Sequence, residues 1–512
     1  MKIAVQKPLF AWDCLEDLPA LGTIKKLLDT LPDGALLDGL RQARGKGRDD
    51  YPVRVLWGVV VLTIALRHRD FEACLGELRR NPSLAKLIGI EAEEQIPQGW
   101  NVSRFLEVLG QPPHLPRLEE VFNVMVQRLG RSVPDLGENT AGDATALKAR
   151  LTRAEAAKRK KEQESLQSQQ AERASCSSPA DEKQEKPSSK IEYDEYGLPQ
   201  PSGGRKEYQD DEGRVVRVVE WFGYKLHLLV DTKHEVTLAY RISSSKVGDN
   251  EVLPELVDQA LINLPPQRIR TLAYDKAADD VKVHRKLHRA DIKPVIQNRS
   301  LWKDEQEQML PGHDGNSNIV YDEAGTLYCY DRESEPMVRH RMAYIGREPT
   351  RGTLKYRCPS KHEGWPCPMS SVCNAGKEYG LTVRVKQEID LRRFPPIPRA
   401  TKQFERLYKG RTSVERVNAR YKIFWGIDDG NVTGAARFHA MVGAVMVVHA
   451  AFATLLATAP RREGTLGKMK LSGVAKALQE ELGGNSRRKS SPSRCRKTSR
   501  GKTKQRQQRL FR

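Results

Sequence analysis

Hydrophobic positions in the first 135 residues follow the three- and four-residue spacing of short amphipathic helices. The clearest set consists of Phe71, Cys74, Leu75 and Leu78. Asp70 can cap this helix, and Asn81 and Asn101 are start signals for two more. Pro116 begins a longer helix. We therefore predict an all-α N-terminal domain over residues 1–135.

From residue 215 the hydrophobic period changes to two, which is typical of β-strands. The runs 224–230 and 236–242 flank a short polar turn, and together they predict a β-hairpin. The elements predicted after it are helices at 251–264 and 279–290 and strands at 269–274 and 292–296. Strands that alternate with helices on a hairpin-bearing sheet indicate an α/β core.

Two long segments interrupt this pattern. Residues 151–190 contain no aromatic residue, no Val and no Ile, so they cannot bury enough apolar surface to offset ordering. We predict a helical-to-disordered spacer over 151–209. Residues 300–403 are rich in Gly, Pro and His and hold four of the eight cysteines, which predicts an insertion.

A helical pattern resumes at Phe404 and continues into residues 440–459, which are apolar except for His449, Thr454 and Thr458. This segment could be a membrane span or a buried core helix. Because it stands alone, is rich in Ala and Gly and contains a His, we predict a core helix and no association with a membrane. The α/β core then consists of residues 136–150, 210–299 and 404–460.

The charge of the chain is strongly basic but unevenly placed. It has 86 Lys and Arg against 66 Asp and Glu, a formal charge of +20. Residues 461–512 form a basic tail, in which positions 483–512 hold twelve Lys/Arg and no Asp/Glu. A basic surface favours phosphate-rich polymers or anionic lipid, but the tail alone accounts for more than half of the excess. Eight cysteines and an N-terminus without a signal-peptide pattern favour a reducing, cytoplasmic location.

Three carboxylates stand at the ends of predicted core elements, and each has a structural alternative. Asp143 lies in a segment of small residues and could belong to a turn. Asp275 ends a predicted strand and could cap the next helix. Glu415 could close a capping box that begins at Thr412.

The neighbours of Glu415 favour catalysis over capping. Tyr408, Arg411, Glu415 and Lys422 fall within about 60° of one another on a helix of 100° per residue. A carboxylate between a Tyr, an Arg and a Lys is an arrangement that can hold a phosphate backbone beside a metal ligand. The spacing Tyr408-x2-Arg411-x3-Glu415-x6-Lys422 resembles the Y-(2)-R-(3)-E-(6)-K signature of bacterial insertion-sequence transposases of the DDE type.

The resemblance extends to three other segments. Residues 142–145 are similar to the segment that bears the family's first Asp, and 272–277 to the segment of the second. Residues 51–109 resemble the helical domain that precedes the catalytic core. After Asp275 the glycine often found in the family is missing, which leaves Asp279 or Asp280 as weaker candidates.

The resemblance implies a multidomain chain with a ribonuclease-H-like α/β core. It also implies that Asp143, Asp275 and Glu415 are catalytic and bind two Mg²⁺ ions, with Mn²⁺ as a possible substitute. The DNA-binding residues would be Tyr408, Arg411 and Lys422. The expected partners are terminal inverted repeats, target DNA and a second copy of the chain, in a nucleoid-associated protein.

Two alternatives to a transposase stay open at this point. A ribonuclease-H-like nuclease without strand transfer would use the same three carboxylates. A relic that only binds DNA would not need them. In the N-terminal domain, Arg79, Arg80 and Arg104 could contact the phosphates of a DNA end, but the domain could equally be a scaffold or dimerisation module.

The cysteines of the predicted insertion raise a separate question. Cys329, Cys358, Cys367 and Cys373, with His362 nearby, could bind a structural Zn²⁺. No pair has the C-x2-C spacing, so unligated cytosolic thiols are the other interpretation.

Deletion of residues 484–512 is expected to weaken DNA binding almost uniformly across sequences. The tail has no apolar anchor before Leu510 and no periodic pattern, so it lacks the rigid face that base readout requires. The log–log slope of affinity against salt should fall by roughly one unit for each phosphate that the tail neutralises in the full-length protein. Binding of end DNA and scrambled DNA to full-length and truncated protein measures this. A truncated protein that no longer discriminates between the two DNAs, with unchanged affinity for scrambled DNA, would assign base readout to the tail.

Overall fold

The protein is described here by a computed structural model. It describes residues 19–45, 50–150, 191–210, 214–302, 307–311, 318–429 and 432–458. The basic tail and most of the predicted spacer lie outside these residues.

Helices precede the first strand, as predicted. They are α1 (Pro19–Asp29), α2 (Gly34–Arg44), α3 (Val53–Ala65), α4 (Phe71–Arg80), α5 (Pro82–Leu87), α6 (Gly99–Leu109) and α7 (His114–Ser132). The caps at Asp70 and Asn81 are confirmed, because Asp70 accepts from the Ala73 N–H at 2.8 Å and Asn81 from the Leu84 N–H at 3.2 Å. Two predicted starts are wrong by two residues, since α6 begins at Gly99 and α7 at His114.

A mixed sheet follows the helices. Its elements are β1 (Asn139–Lys148), β2 (Ser202–Gln209), β3 (Val215–Asp231), β4 (Thr237–Ser244), α8 (Asp249–Asn263), β5 (Thr271–Tyr274), α9 (Val281–Arg289) and β6 (Lys293–Ile296). The predicted hairpin is confirmed as β3 and β4. β1 is antiparallel to β3 on one side and parallel to β5 on the other, and β6 is parallel to β5.

β3 is long enough to pair with two strands along one edge. Its first half pairs with β2 and its second half with β4. β2 falls in the range 151–209, which was predicted as spacer, so that prediction is wrong for Ser202–Gln209. Its sequence begins Ser-Gly-Gly, a composition that does not indicate a strand, and pairing with the Val-rich start of β3 overrides this local preference.

Residues 300–403 are called the Cys-bearing segment below, and their described parts form two small antiparallel sheets. One has the order β10-β9-β8-β7 and the other the order β11-β12-β13. The strands are β7 (Glu307–Met309), β8 (Ile319–Asp322), β9 (Leu327–Asp331), β10 (Val338–Arg341), β11 (Ala343–Glu348), β12 (Thr353–Arg357) and β13 (Thr382–Lys386), with short helices α10 (Pro359–Glu363) and α11 (Ser370–Cys373). The segment has a hydrophobic core of its own, which includes Leu354, Val383 and Phe394.

Helices complete the described chain. They are α12 (Lys402–Tyr408), α13 (Thr412–Ala419), a π-helical turn (Arg420–Phe424) and α14 (Ala435–Ala457). α14 is long and apolar enough to cross a membrane by length and composition, but 72% of its most apolar window is buried within the protein. Its His449 is fully buried and accepts a hydrogen bond from the Thr237 N–H at 3.3 Å. The predicted core helix is confirmed.

The helical region and the mixed sheet share one hydrophobic core. It extends from Leu21 in α1 to Ala453 in α14. α14 packs against α3, α6 and α7, and Arg437 of α14 forms an ion pair with Glu107 of α6 at 2.8 Å. The last described helix, α14, therefore connects the mixed sheet with the N-terminal helices through this shared core.

A buried ion cluster attaches the Cys-bearing segment to the sheet. Asp279 accepts hydrogen bonds from the Arg392 Nε at 2.8 Å and the Arg399 Nη2 at 3.0 Å. It also accepts from the Arg299 N–H at 2.8 Å and contacts the His284 ring at 3.0 Å. The Asp279 side chain is completely buried and saturated with partners. These contacts give Asp279 a structural role and argue against it as the second catalytic Asp.

Asp279→Asn should lower the free energy of unfolding by about 3–5 kcal/mol, because it leaves two buried guanidinium groups without their counter-charge. Burial raises the pKa of Asp279, but the His284 hydrogen bond and the two arginines outweigh it and the net pKa is lowered. A carboxylate whose pKa is lower in the folded than in the unfolded state stabilises the fold at pH values above its unfolded pKa. The difference in stability between wild type and Asp279→Asn should therefore shrink below about pH 4. Urea unfolding at several pH values measures this.

Asp280→Asn is the matched control. Asp280 caps α9 by accepting the Lys282 N–H at 2.7 Å, and Asn is an equally good cap. Equal losses of stability in the two variants would contradict the structural role given to Asp279.

Candidate active site

Asp143 and Asp275 lie side by side on neighbouring parallel strands. The pairing of β1 with β5 ends at Ala141 opposite Ala273, and each Asp stands two residues further along its strand. Asp275 also accepts the Ala277 N–H at 2.9 Å, so its predicted capping role is present as well. Capping one turn does not prevent this carboxylate from serving the site.

Both carboxylates line a cavity of about 950 Å³. Asp249, the first residue of α8, lines it too and lies 3.4 Å from the Lys225 Nζ. The basic side chains on its wall are Arg205, Lys206, Lys225, Lys276, Arg299 and Lys422. Acidic groups enclosed by basic ones form a site that can hold a metal ion together with a phosphate group.

Burial raises the pKa of Asp143 to about 6. Arg411 opposes this increase, whereas the negative charges of Asp275 and Asp249 add to it. The ionised form of Asp143 is therefore stabilised less than in water, and a further positive charge at this point would be favourable.

Glu415 is connected to the pair of Asp143 and Asp275 through the guanidinium group of Arg411. The Arg411 guanidinium lies 2.6 Å from the Glu415 carboxylate and 3.5 Å from that of Asp143. The Glu415 side chain is half exposed, and it does not line the cavity with the two Asp residues. The structure thus brings Asp143 and Asp275 together directly and connects Glu415 to them by a cation.

The predicted capping box at Thr412 is wrong. α13 continues from α12 through one 3-10 turn, so Thr412 has no free helix end to cap. Its hydroxyl donates to the Lys409 carbonyl at 3.0 Å, while Glu415 bonds Arg411. Glu415 is therefore available for chemistry at the site.

The other two residues of the signature lie on either side of this helix. Tyr408 ends α12, where its ring stacks on Phe404 with centroids 5.8 Å apart. Lys422 lies in the π-helical turn, donates to the Ala146 carbonyl and lines the cavity. In the same helix Val414 and Val417 are completely buried. The four residues of the signature therefore extend from the end of α12 to the cavity wall.

Asn418 was not predicted as a site residue. Its amide nitrogen donates to Asp143 at 3.3 Å, and its own side-chain oxygen is buried without a partner. The helical spacing could have revealed it, since Asn418 follows Glu415 by three residues on the same face.

The residues present fit a hard divalent cation. Two adjacent carboxylates and the unpartnered oxygen of Asn418 are the kind of ligands that Mg²⁺ and Mn²⁺ prefer. Among the described side chains, however, no three His, Cys, Asp or Glu are already grouped as metal ligands. To complete the set of metal ligands, Glu415 would have to leave its ion pair with Arg411 and bind the metal ion instead.

Gly142 is required for the close approach of β1 to β5. A Cβ at this position would lie 2.5 Å from the ring of Tyr274, which is completely buried and cannot move aside. Gly142→Ala should therefore cost about 1–3 kcal/mol of stability. Gly203→Ala in β2 is the control, because a Cβ there meets nothing within 4 Å. Thermal unfolding compares them, and equal midpoints would contradict the tight packing beside Asp143.

The sequence was compared with the models of known protein families. Residues 188–450, just over half of the chain, match the protein-family model described as Transposase DDE domain. The match includes Asp275 and Glu415 and begins after Asp143. No curated protein matches the chain. With its helical N-terminal region and mixed α/β core, the chain belongs to the transposase DDE domain family.

Proposed function

We propose that this protein is a DNA transposase that binds the ends of its element, cleaves them with a divalent metal and joins them to target DNA. The observation that carries the proposal is the alignment of Asp143 with Asp275 in one cavity, with Glu415 linked to them through Arg411. The family is generally dependent on divalent metal, and the oxygen-rich donors here agree with that.

The sheet supports a ribonuclease-H-like core. Its strand order β4-β3-β1-β5-β6 joins an antiparallel hairpin to parallel strands. Asp143 stands on the central strand β1 and Asp275 directly after its parallel neighbour β5. Glu415 comes from a helix that packs against β1 and β3. Asp143 and Asp275, far apart in the chain, thus lie side by side, and Glu415 is linked to Asp143 through Arg411. The Cys-bearing segment lies in the chain between the second and third carboxylates.

Each residue has a defined part in the proposed reaction. Asp143, Asp275 and Glu415 would hold the ions, with Asn418 orienting Asp143. When bound, divalent ions supply an activated water or 3′-hydroxyl and neutralise the leaving oxygen.

The basic side chains would handle the phosphates. Arg411 and Lys422 have partners that a phosphate can replace. Arg411 pairs with the Asp143 and Glu415 carboxylates, and Lys422 with the Ala146 carbonyl and the Asp428 carboxylate. Lys206 and Arg205 on β2 extend the positive wall of the cavity and would guide the strand to be cut. Tyr408 would contact the terminal nucleotide.

End recognition is assigned to the helical region. On α6, Trp100 is 59% exposed. Trp100 and Arg104, which lies one turn later, line a second cavity of about 620 Å³. An exposed aromatic ring next to an arginine is a typical nucleic-acid contact. Pairing of two element ends would require two copies of the chain, so we propose a homodimer in the end complex.

A nuclease without strand transfer is the second candidate, because it would need the same carboxylates. The assay for the first candidate separates the two, since only a transposase joins cleaved ends to a second DNA. A relic that only binds DNA would have no reason to retain aligned carboxylates in a cation-lined cavity.

Asp143→Asn, Asp275→Asn and Glu415→Gln should each abolish Mg²⁺-dependent end cleavage and leave end binding within about threefold of wild type. Each change removes a metal ligand but none of the phosphate contacts made elsewhere. Cleavage of labelled end DNA and a binding assay on the same preparations measure both effects.

Asp280→Asn is the control here too, since Asp280 was a weaker candidate for the second carboxylate and caps α9. It should cleave normally. An inactive Asp280→Asn with an active Asp275→Asn would move the second catalytic position, and an active Glu415→Gln would remove Glu415 from the site.

A further inference from the structure

Four cysteines of the Cys-bearing segment lie around one small cavity. Cys329 lies in β9, Cys358 directly precedes α10, Cys367 lies in the following loop, and Cys373 ends α11. All four line the same small cavity of about 20 Å³. That volume holds about one water-sized sphere, which is the scale of a single ion.

Two of the sulfurs sit in turns that point N–H groups at them. In Cys358-Pro359-Ser360-Lys361, the backbone N–H groups of Ser360 and Lys361 donate to the Cys358 sulfur. In Cys367-Pro368-Met369, the Met369 N–H donates to the Cys367 sulfur. N–H groups directed at a cysteine sulfur are outer contacts that orient the ligands of a structural metal site.

Side-chain amides support two of the sulfurs in the same way. Asn374 donates to the Cys358 sulfur at 3.6 Å, and Asn318 donates to that of Cys373 at 3.7 Å. Such outer contacts orient the ligands of a metal and are a regular part of structural metal sites.

We propose that Cys329, Cys358, Cys367 and Cys373 bind one structural Zn²⁺, which holds the two small sheets and the α10–α11 region together. Four thiolates in tetrahedral array are a closed, structural set. No ligand group is preformed in the described side chains, so the thiols must turn about their Cα–Cβ bonds towards the shared cavity.

The structure excludes the histidine that sequence spacing suggested. His362 is exposed and does not line the cavity. His340 does line it, but its ring packs against Trp365 with centroids 4.6 Å apart. The four cysteines complete a zinc coordination sphere without either histidine.

The site has a mechanical consequence for the catalytic core. Arg392 and Arg399 of the same segment bind Asp279, four residues after Asp275. A zinc ion that fixes the fold of the segment would therefore also stabilise the residues around Asp279, which follow Asp275 in the chain.

The test uses the full chain purified without chelator. Wild type should contain about one equivalent of zinc, and replacement by Co²⁺ should give the sulfur-to-cobalt charge-transfer band of thiolate ligation. Cys367→Ser, at a partly exposed position, and Cys358→Ser should each lose most of the zinc. Both should also become sensitive to proteolysis within residues 300–403.

Two controls keep the outcome interpretable. Cys74→Ser changes a buried cysteine of α4 outside the segment and should retain zinc. Asp143→Asn should retain it as well, so that failure of this site and failure of the proposed catalysis are distinguishable. No zinc in wild type, full zinc in the Cys367→Ser variant, or disulfides among these cysteines in non-reducing mass analysis would each overturn the proposal.

Discussion

The burial of Asp143 beside a second carboxylate is the constraint on which the candidate active site depends. β1 and β5 place Asp143 and Asp275 at the same level of the sheet, and Asp249 lines the same cavity. Burial and these neighbours raise the pKa of Asp143 to about 6, although Arg411 opposes them. A site of this kind gains free energy from any added cation, and that gain is what a divalent-metal enzyme uses for binding.

Close packing is what buries Asp143 and holds it beside Asp275. Gly142 allows β1 to approach Tyr274, and the shared core of α14 with the N-terminal helices leaves the sheet little freedom to relax. The helix that bears Glu415 is fastened over this sheet by its buried residues, among them Val414 and Val417. Arg411 then lies between the sheet and the helix. Arg411, the cation between the carboxylates, thus directly precedes the helix that carries Glu415.

Local signals in the sequence predicted the parts of the fold that local forces decide. The cap at Asp70 and the β3–β4 hairpin depend on neighbouring residues, and both are confirmed. β2 was missed because its pairing partner, and not its own composition, makes it a strand.

The same distinction applies to the site residues. The spacing from Tyr408 to Lys422 identified the helix that carries Glu415, because that spacing is a property of one helix. The meeting of Asp143 with Asp275, the support from Asn418 and the place of His340 beside the cysteines depend on tertiary contacts. No short-range pattern contains that information.

The charge balance also explains why Asp275 and not Asp279 is the better second carboxylate, although both follow β5. Asp279 is completely buried, and two arginines, a backbone N–H and the His284 ring already occupy its oxygens. A metal ion could bind it only by displacing all of these partners. Asp275 accepts one hydrogen bond from its own turn and otherwise opens onto the cavity beside Asp143. The carboxylate with unsatisfied oxygens lies where a metal can reach it, and the satisfied one holds the neighbouring segment in place.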